Sequence, residues 1–403
     1  MVNYSCERCG KDFSQKSHYD SHNKRKTQCE NNVGKTKALV ERLNVISLFT
    51  GIGGMDMGFG GNVVVHKDSI VNEEFVDKPH PVKDFVELRK HNFECVFQND
   101  ILEGAKDVFG LNGDNSKYNT TSIYNLISEN FIFPDADVVI GGFPCQDFSH
   151  SGKRTGFKSK KGHDLKETVD AEKANSRGTL YKSFVEVVKQ AKPKMFVAEN
   201  VYGLVTMKGD PIKQIIKDFS DVGYDVNYQV VYCPEFGIPQ TRKRVIIMGI
   251  SKERNVDIGE GWNLLTKNQT KCVIGKYFDH LEEPNITTDI SQMMYSRSKK
   301  LAKGQGQTEV NLNSFAPTMR AEHHGNIEFR RHENSTLNTN EQNMAERRLS
   351  VREAGLIQTF PPNHVFSVKK SMVAYKYIGN AVPPLLGYLI ADKVSELCRY
   401  HFT

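Results

Sequence analysis

The stretch that most constrains this chain is Asp137-Val-Val-Ile-Gly-Gly-Phe-Pro-Cys-Gln-Asp-Phe-Ser149. The apolar run from Val138 to Ile140 stops at two glycines, and Pro144 then sets Cys145 just beyond them. A short apolar run bounded by turn residues is a buried strand feeding a tight loop, where open α/β sheets carry their functional groups. A lone cysteine is usually a small buried hydrophobe. One delivered by Gly-Gly-Phe-Pro to a strand end is instead a candidate nucleophile, and the rest of the chain has to supply its target.

Upstream, Asn44-Val-Ile-Ser-Leu-Phe49 reads as a short strand and runs into Thr50-Gly-Ile-Gly-Gly-Met-Asp-Met-Gly-Phe59. Gly51, Gly53 and Gly54 let the backbone turn sharply and approach a ligand, with a helix expected from about Met55. Alone, such a loop is either a tight strand-to-helix turn or the cofactor loop shared by NAD, flavin and S-adenosylmethionine folds. Phe49 adds an aromatic face that attracts a cationic ligand such as a sulfonium. Residues 60–92 read as a charged, loop-like insertion. Phe93-Glu-Cys-Val-Phe-Gln-Asn-Asp100-Ile101 is the next strand, ending in an acid. A carboxylate there can hold ribose hydroxyls, the plainer alternative being a surface acid.

Together the glycine loop and the Pro-Cys stretch resemble the cofactor and nucleophile motifs of the cytosine-5 DNA methyltransferases. Further stretches follow in that family's order: Glu199-Asn-Val201, Pro239-Gln-Thr-Arg242-Lys-Arg244, Ser350-Val-Arg-Glu353 and Tyr377-Ile-Gly-Asn380-Ala-Val382-Pro-Pro. The resemblance covers about 43–250 and 346–400. It implies a Rossmann-like α/β core that uses S-adenosylmethionine, with Phe49, Gly51, Ile52, Gly53, Gly54, Asp100, Ile101, Ser122, Ile123, Pro144, Leu180, Asn380 and Val382 around the cofactor. Two positions depart from the pattern. Ser122 stands where the family has an aspartate for the adenine amino group, and Ser47 stands where it usually has Asp.

The resemblance also implies roles for Cys145, Glu199, Arg242 and Arg244. C5 of cytosine is a poor nucleophile, and a thiolate added at C6 turns the ring into an enamine that can take the methyl group. A carboxyl at Glu199 would meet N3 and the exocyclic amine. Strand alternation sends Arg242 and Arg244 to one face, where they would hold the cytosine O2 and a phosphate. Each also has a bland reading, as a strand-end acid facing solvent or two arginines on a sheet edge. The loop 146–177 carries Lys153, Arg154, Lys158, Lys160 and Lys161, which suits closure over DNA or an ordinary solvated loop.

The expected organisation follows: zinc finger 1–30, linker 31–43, catalytic part 44–250, target-recognition domain 251–345 and a closing catalytic part 346–403. The recognition region is expected to be a smaller unit of short strands and loops, with Arg320, His323, His324 and Asn326 as candidate base readers. Ser350 and Glu353 form a capping-box pattern that starts a helix. At the N-terminus, Cys6 and Cys9 are two residues apart, twelve residues precede His22, and six more precede Cys29. That pattern resembles a ββα C2H2-type zinc finger with cysteine as its last ligand, and Phe13 and Tyr19 suit its small core. His18 is the rival ligand, and the last spacing is longer than usual.

Composition narrows the partners. Net charge is +6, a mild excess that suits a polyanion or an ordinary surface. The other cysteines are scattered, which fits a reducing compartment. No apolar run approaches the ~20 residues of a membrane span, and no signal pattern opens the chain, so the cytoplasm is expected. Expected partners are double-stranded DNA, no membrane, a monomeric state and a cognate restriction endonuclease where one exists. The alternatives are a cytosine-5 methyltransferase acting on RNA, or a zinc-finger regulator on an inactive scaffold. Amino-group methylation is disfavoured because no Asp/Asn-Pro-Pro-aromatic loop occurs, and a hydride enzyme has no need of Pro-Cys at this strand end.

Overall fold

Strand residues alternate between two apolar faces, and that alternation builds the molecule. A computed structural model describes residues 4–5, 12–13, 16, 20, 42–61, 63–144, 180–254, 272–298, 308–321, 326–332, 336–341 and 343–401. Contacts divide the chain into two units, Met1–Arg42 and Leu43–Thr403.

In the first unit Tyr4–Ser5 pairs antiparallel with Asp12–Phe13. Cys6, Cys9, His22 and Cys29, expected to hold zinc, lie outside the described residues. Among the described residues no group of three or more His, Cys, Asp or Glu could hold a metal.

The second unit is organised on seven strands: β1 (Leu43–Leu48), β2 (Phe93–Asn99), β3 (Tyr118–Asn119), β4 (Val138–Gly141), β5 (Met195–Val201), β6 (Tyr224–Tyr232) and β7 (Lys243–Ser251). Their order is β6-β7-β5-β4-β1-β2-β3. All neighbouring pairs are parallel except those of β7, which runs antiparallel to both β5 and β6. Val45, Val138, Ile140, Met195 and Val197 face one core. Ile46, Leu48, Val139, Phe196 and Ala198 face the other. Both faces of the sheet are therefore covered, as a parallel sheet requires.

Helices supply the covers. α1 (Gly54–Gly60) and α2 (Pro384–His401) pack on the first face through Met55, Phe59, Leu386 and Leu389. α3 (Tyr181–Ala191) and α4 (Pro211–Asp221) bury Phe184, Val188, Ile215 and Phe219 on the second. Each fully buried Leu, Val or Phe contributes roughly 1.5–3 kcal/mol. α1 and α2 approach so closely that a Cβ on Gly58 would lie 2.1 Å from the Gly387 backbone.

One expectation changes. The charged insertion after α1 is not a loop throughout: Val64–His66, Phe85–Leu88 and Val76–Pro79 form a three-stranded antiparallel sheet. The expected recognition region packs on the closing segment. Its described residues Ile274, Tyr277, Phe278 and Met319 share one core with Leu349, Leu356 and Tyr375 from the closing segment. The expected capping box is present: Ser350 Oγ accepts from Glu353 N, and Ser350 N donates to the Glu353 carboxylate at 2.7 Å. None of the described helices is long and apolar enough to cross a membrane.

Candidate active site

The strand order reverses between β1 and β4, and in such sheets ligands bind outside the carboxyl ends at that point. A cleft of about 230 Å³ lies there. The end of β1 opens it. Phe49 adopts φ +54°, a left-handed conformation unusual for a bulky residue, and lines the cleft. Strain of this kind persists where the surroundings over-determine it, and here Thr50 N is held by Asn99 O at 3.0 Å. Gly51 has φ +55°, and a Cβ there would meet no protein atom within 4 Å. What keeps Gly51 bare is its backbone conformation and the cleft, not protein packing. Gly54 is the reverse case: a Cβ would lie 2.1 Å from Val382 O.

Asp100 stands at the end of β2 and fixes the loop opposite. Its carboxylate accepts from Gly51 N and Leu102 N, both at 3.0 Å. Burial pushes the Asp100 carboxyl up, while those two N–H groups pull it back. Tyr118 in β3 braces the same turn by donating to Gly51 O at 2.8 Å. The loop after β4 brings Phe143 and Pro144 to the cleft, and the start of α3 brings Leu180. The helix α5 (Ser371–Asn380) and its exit bring Asn380 and Val382.

Eleven of the thirteen expected cofactor residues therefore meet in one place: Phe49, Gly51, Ile52, Gly54, Asp100, Ile101, Ile123, Pro144, Leu180, Asn380 and Val382. Gly53 does not line the cleft; its φ is +83°, and a Cβ there would strike the Phe109 ring at 2.5 Å. Ser122 does not line it either. It precedes the helix Ile123–Ser128, and its hydroxyl is buried without a hydrogen-bond partner. An aromatic face, a strand-end acid and a bare glycine turn fit an adenosine cofactor carrying a sulfonium, so the donor set suits S-adenosylmethionine.

Cys145 itself lies outside the described residues. Its approach is described as far as Pro144 and is anchored by β5. Asn200 Nδ2 donates to Phe143 O at 3.2 Å, while Glu199 lines the cleft. Gly142 passes over that carboxylate: a Cβ would sit 3.3 Å from Glu199 Oε2. On the other side, Arg244 Nε stands 2.7 Å from Glu199 Oε1. The contact is a close ion pair whose angle falls outside a regular hydrogen bond, since Oε1 makes none.

Arg242 departs from the expectation. It is 1 % exposed, and its guanidinium donates to Met319 O, Gly379 O and Ala381 O at 2.9–3.2 Å. It does not share the position of Arg244, because Arg242 precedes β7 and turns toward the closing segment. Gln240 works beside it, accepting from Met319 N and donating to Ile357 O. Arg320 is half-buried against Glu328, with 3.5 Å between their charged atoms. His323 and His324 lie outside the described residues. Lys376, Tyr377 and Asp56, which were not among the expected site residues, also line the cleft. Lys376 and Tyr377 lie four and three positions before Asn380 on one helix face, a spacing that offered the signal.

Comparison with known proteins agrees with this geometry. The family model described as C-5 cytosine-specific DNA methylase matches residues 43–396. The Type II methyltransferase M.BsuRI of Bacillus subtilis is 30% identical over 388 residues, covering 90% of this chain and 82% of the relative. The Type II methyltransferase M.BspRI of Lysinibacillus sphaericus is 31% identical over 382 residues, covering 88% and 82%. Among solved structures, the S. pombe Dnmt2 methyltransferase superposes with a TM-score of 0.56 at 18% identity, covering 89% of this chain and 99% of that one. The Entamoeba histolytica methyltransferase EhMeth gives 0.56 at 15% identity, covering 88% and 98%. At those identities the two structures speak for the fold.

Proposed function

Because the chain belongs to the C-5 cytosine-specific DNA methylase family, we propose that it methylates C5 of a cytosine flipped from duplex DNA through a covalent bond between Cys145 and C6. The observation that carries the reading is the cleft at the β1/β4 reversal, where Phe49, Asp100, Pro144 and Glu199 converge. S-adenosylmethionine, when bound, supplies an electrophilic methyl group on a sulfonium. The residues do the rest. The Cys145 thiolate adds to C6, and the ring electrons move to C5, which takes the methyl group. A base then removes the C5 proton, and the returning electrons expel the thiolate. Glu199 would grip N3 and the exocyclic amine, oriented by Arg244. Asn200, by holding Phe143 O, sets where the Cys145 loop begins.

The N-terminal unit is proposed to hold one zinc ion through Cys6, Cys9, His22 and Cys29. The spacing and the short hairpin between Tyr4 and Phe13 support this. Segments of this size rarely fold without metal. A monomeric state and a cognate restriction endonuclease are likewise proposals, the second suggested by the Type II relatives.

The test is transfer of label from S-adenosylmethionine to duplex DNA. The intact chain should label DNA, and Cys145→Ser should not. Labelling of RNA alone would overturn the proposal. DNA containing 5-fluorocytosine should trap the intact chain covalently, because fluorine cannot leave as the proton does.

A further inference from the structure

Asp56 has no part in the proposed methyl transfer, yet it is the least ordinary group in the cleft. It lies in the first turn of α1, is 8 % exposed and lines the cleft. Ser47 Oγ donates to its Oδ2 at 3.0 Å, and Thr50 Oγ1 donates to Ser47 Oγ at 2.9 Å. Gln98 Nε2 and Cys95 Sγ stand farther off, at 3.5 and 3.9 Å from Oδ1.

Three acids line this cleft, and two are satisfied. Asp100 accepts from two neighbouring backbone N–H groups, and Glu199 has Arg244. Asp56 has neither. Among the described residues no cationic side chain pairs with it, and the cleft's Lys376 bears on Asp100 instead. Burial pushes the Asp56 carboxyl up to about 6, with the Ser47 hydroxyl pulling it back. At neutral pH it is therefore a buried anion without a counter-ion, an arrangement that is unfavourable unless a cation completes it. An S-adenosyl cofactor brings two cationic centres. The sulfonium suits the neutral face of Phe49, which leaves the α-ammonium for a carboxylate.

We propose that Asp56 seats the α-ammonium of the cofactor's amino-acid end, with Ser47 orienting the carboxylate toward it. This rests on the S-adenosylmethionine reading of the cleft. It also accounts for the serine in β1: Ser47 and Asp56 meet at one point, so the acid reaches it from α1 instead of from the strand.

Three ligands test it by calorimetric titration: S-adenosylmethionine with both cations, S-adenosylhomocysteine with the ammonium alone, and methylthioadenosine with neither. Asp56→Asn should weaken the first two equally, by ~10–100-fold, the range for losing a charge-assisted hydrogen bond. Methylthioadenosine should bind as before, which also reports that the cleft is folded. Weakening of S-adenosylmethionine alone, of all three, or of none overturns the assignment. In the unaltered chain, S-adenosylhomocysteine should lose its advantage over methylthioadenosine as pH falls below about 6. Around Asp56, Cys95 and Tyr118 stay protonated through burial, and α2 on the far side adds no charge that bears on it. Asp100, Glu199 and Lys376 are the other charged groups that line the cleft. An advantage unchanged between pH 5 and 8 overturns the proposal independently of the variant. Failure of the unaltered chain to bind either S-adenosyl ligand would instead overturn the methyltransferase reading itself.

Discussion

At Gly54 a single methyl group decides whether the cleft can form. A Cβ there would lie 2.1 Å from Val382 O, and backbone cannot yield as a flexible side chain does. Gly54→Ala should therefore cost about 1–3 kcal/mol in urea unfolding and weaken cofactor binding through the displaced Val382. Glu199→Gln keeps the size of the side chain but alters its charge and donors beside Arg244. It should lower the single-turnover methylation rate ~10²–10⁴-fold. Single residues were legible where motif and strand end coincide, as at Phe49, Asp100 and Glu199. Spacing could not separate Arg242 from Arg244, because the carbonyls that capture Arg242 come from residues 319, 379 and 381. Asp56 was illegible for a similar reason: an acid between two methionines looks like a solvated helix position until Ser47 is seen beside it.

Elements were legible when their signal was local. β1, β4, the helix after Gly53 and the Ser350 capping box each carry their own start or stop. The sheet of Val64–His66, Val76–Pro79 and Phe85–Leu88 was not, since its strands are three or four residues long and Val76–Pro79 is half charged and mostly exposed. The recognition region hid its connection to the core because its contacts are tertiary. Arg242 is one rivet of that connection, tying Met319 to Gly379 and Ala381. Arg242→Met should destabilise the fold by at least ~1–3 kcal/mol, the usual loss when a buried acceptor is left without its donor. Its effect on methylation should appear mainly in cofactor affinity, through Asn380 and Val382, and equilibrium dialysis of S-adenosylmethionine would measure it.

On the scale of the whole molecule, pH acts through buried groups that no motif announces. His364 is 3 % exposed between Phe360 and Phe366, and burial lowers it from 6.5 to about 3. His280 is likewise lowered, to about 4. Both are neutral in the folded chain and take up protons on unfolding below 6.5, so their contribution is full above that pH and is lost as pH falls. Asp56 runs the other way between about 6 and 3.8, because its raised carboxyl takes up its proton while still folded. His364→Gln should therefore flatten the acid limb of the stability curve by up to ~1.4 kcal/mol per pH unit between 6 and 4, measured by urea titration at each pH. The close approach of α1 and α2 has a consequence of another kind. The wall of the cleft at Gly54 is completed by Val382, and the helix behind it by Gly387, from the far end of the same core. A chain still being translated holds its glycine turn long before it holds the residues that close it. The cleft is therefore completed late in synthesis, and a message cut short upstream of residue 380 yields a protein that carries Cys145 without the residues that close the cleft over its glycine turn.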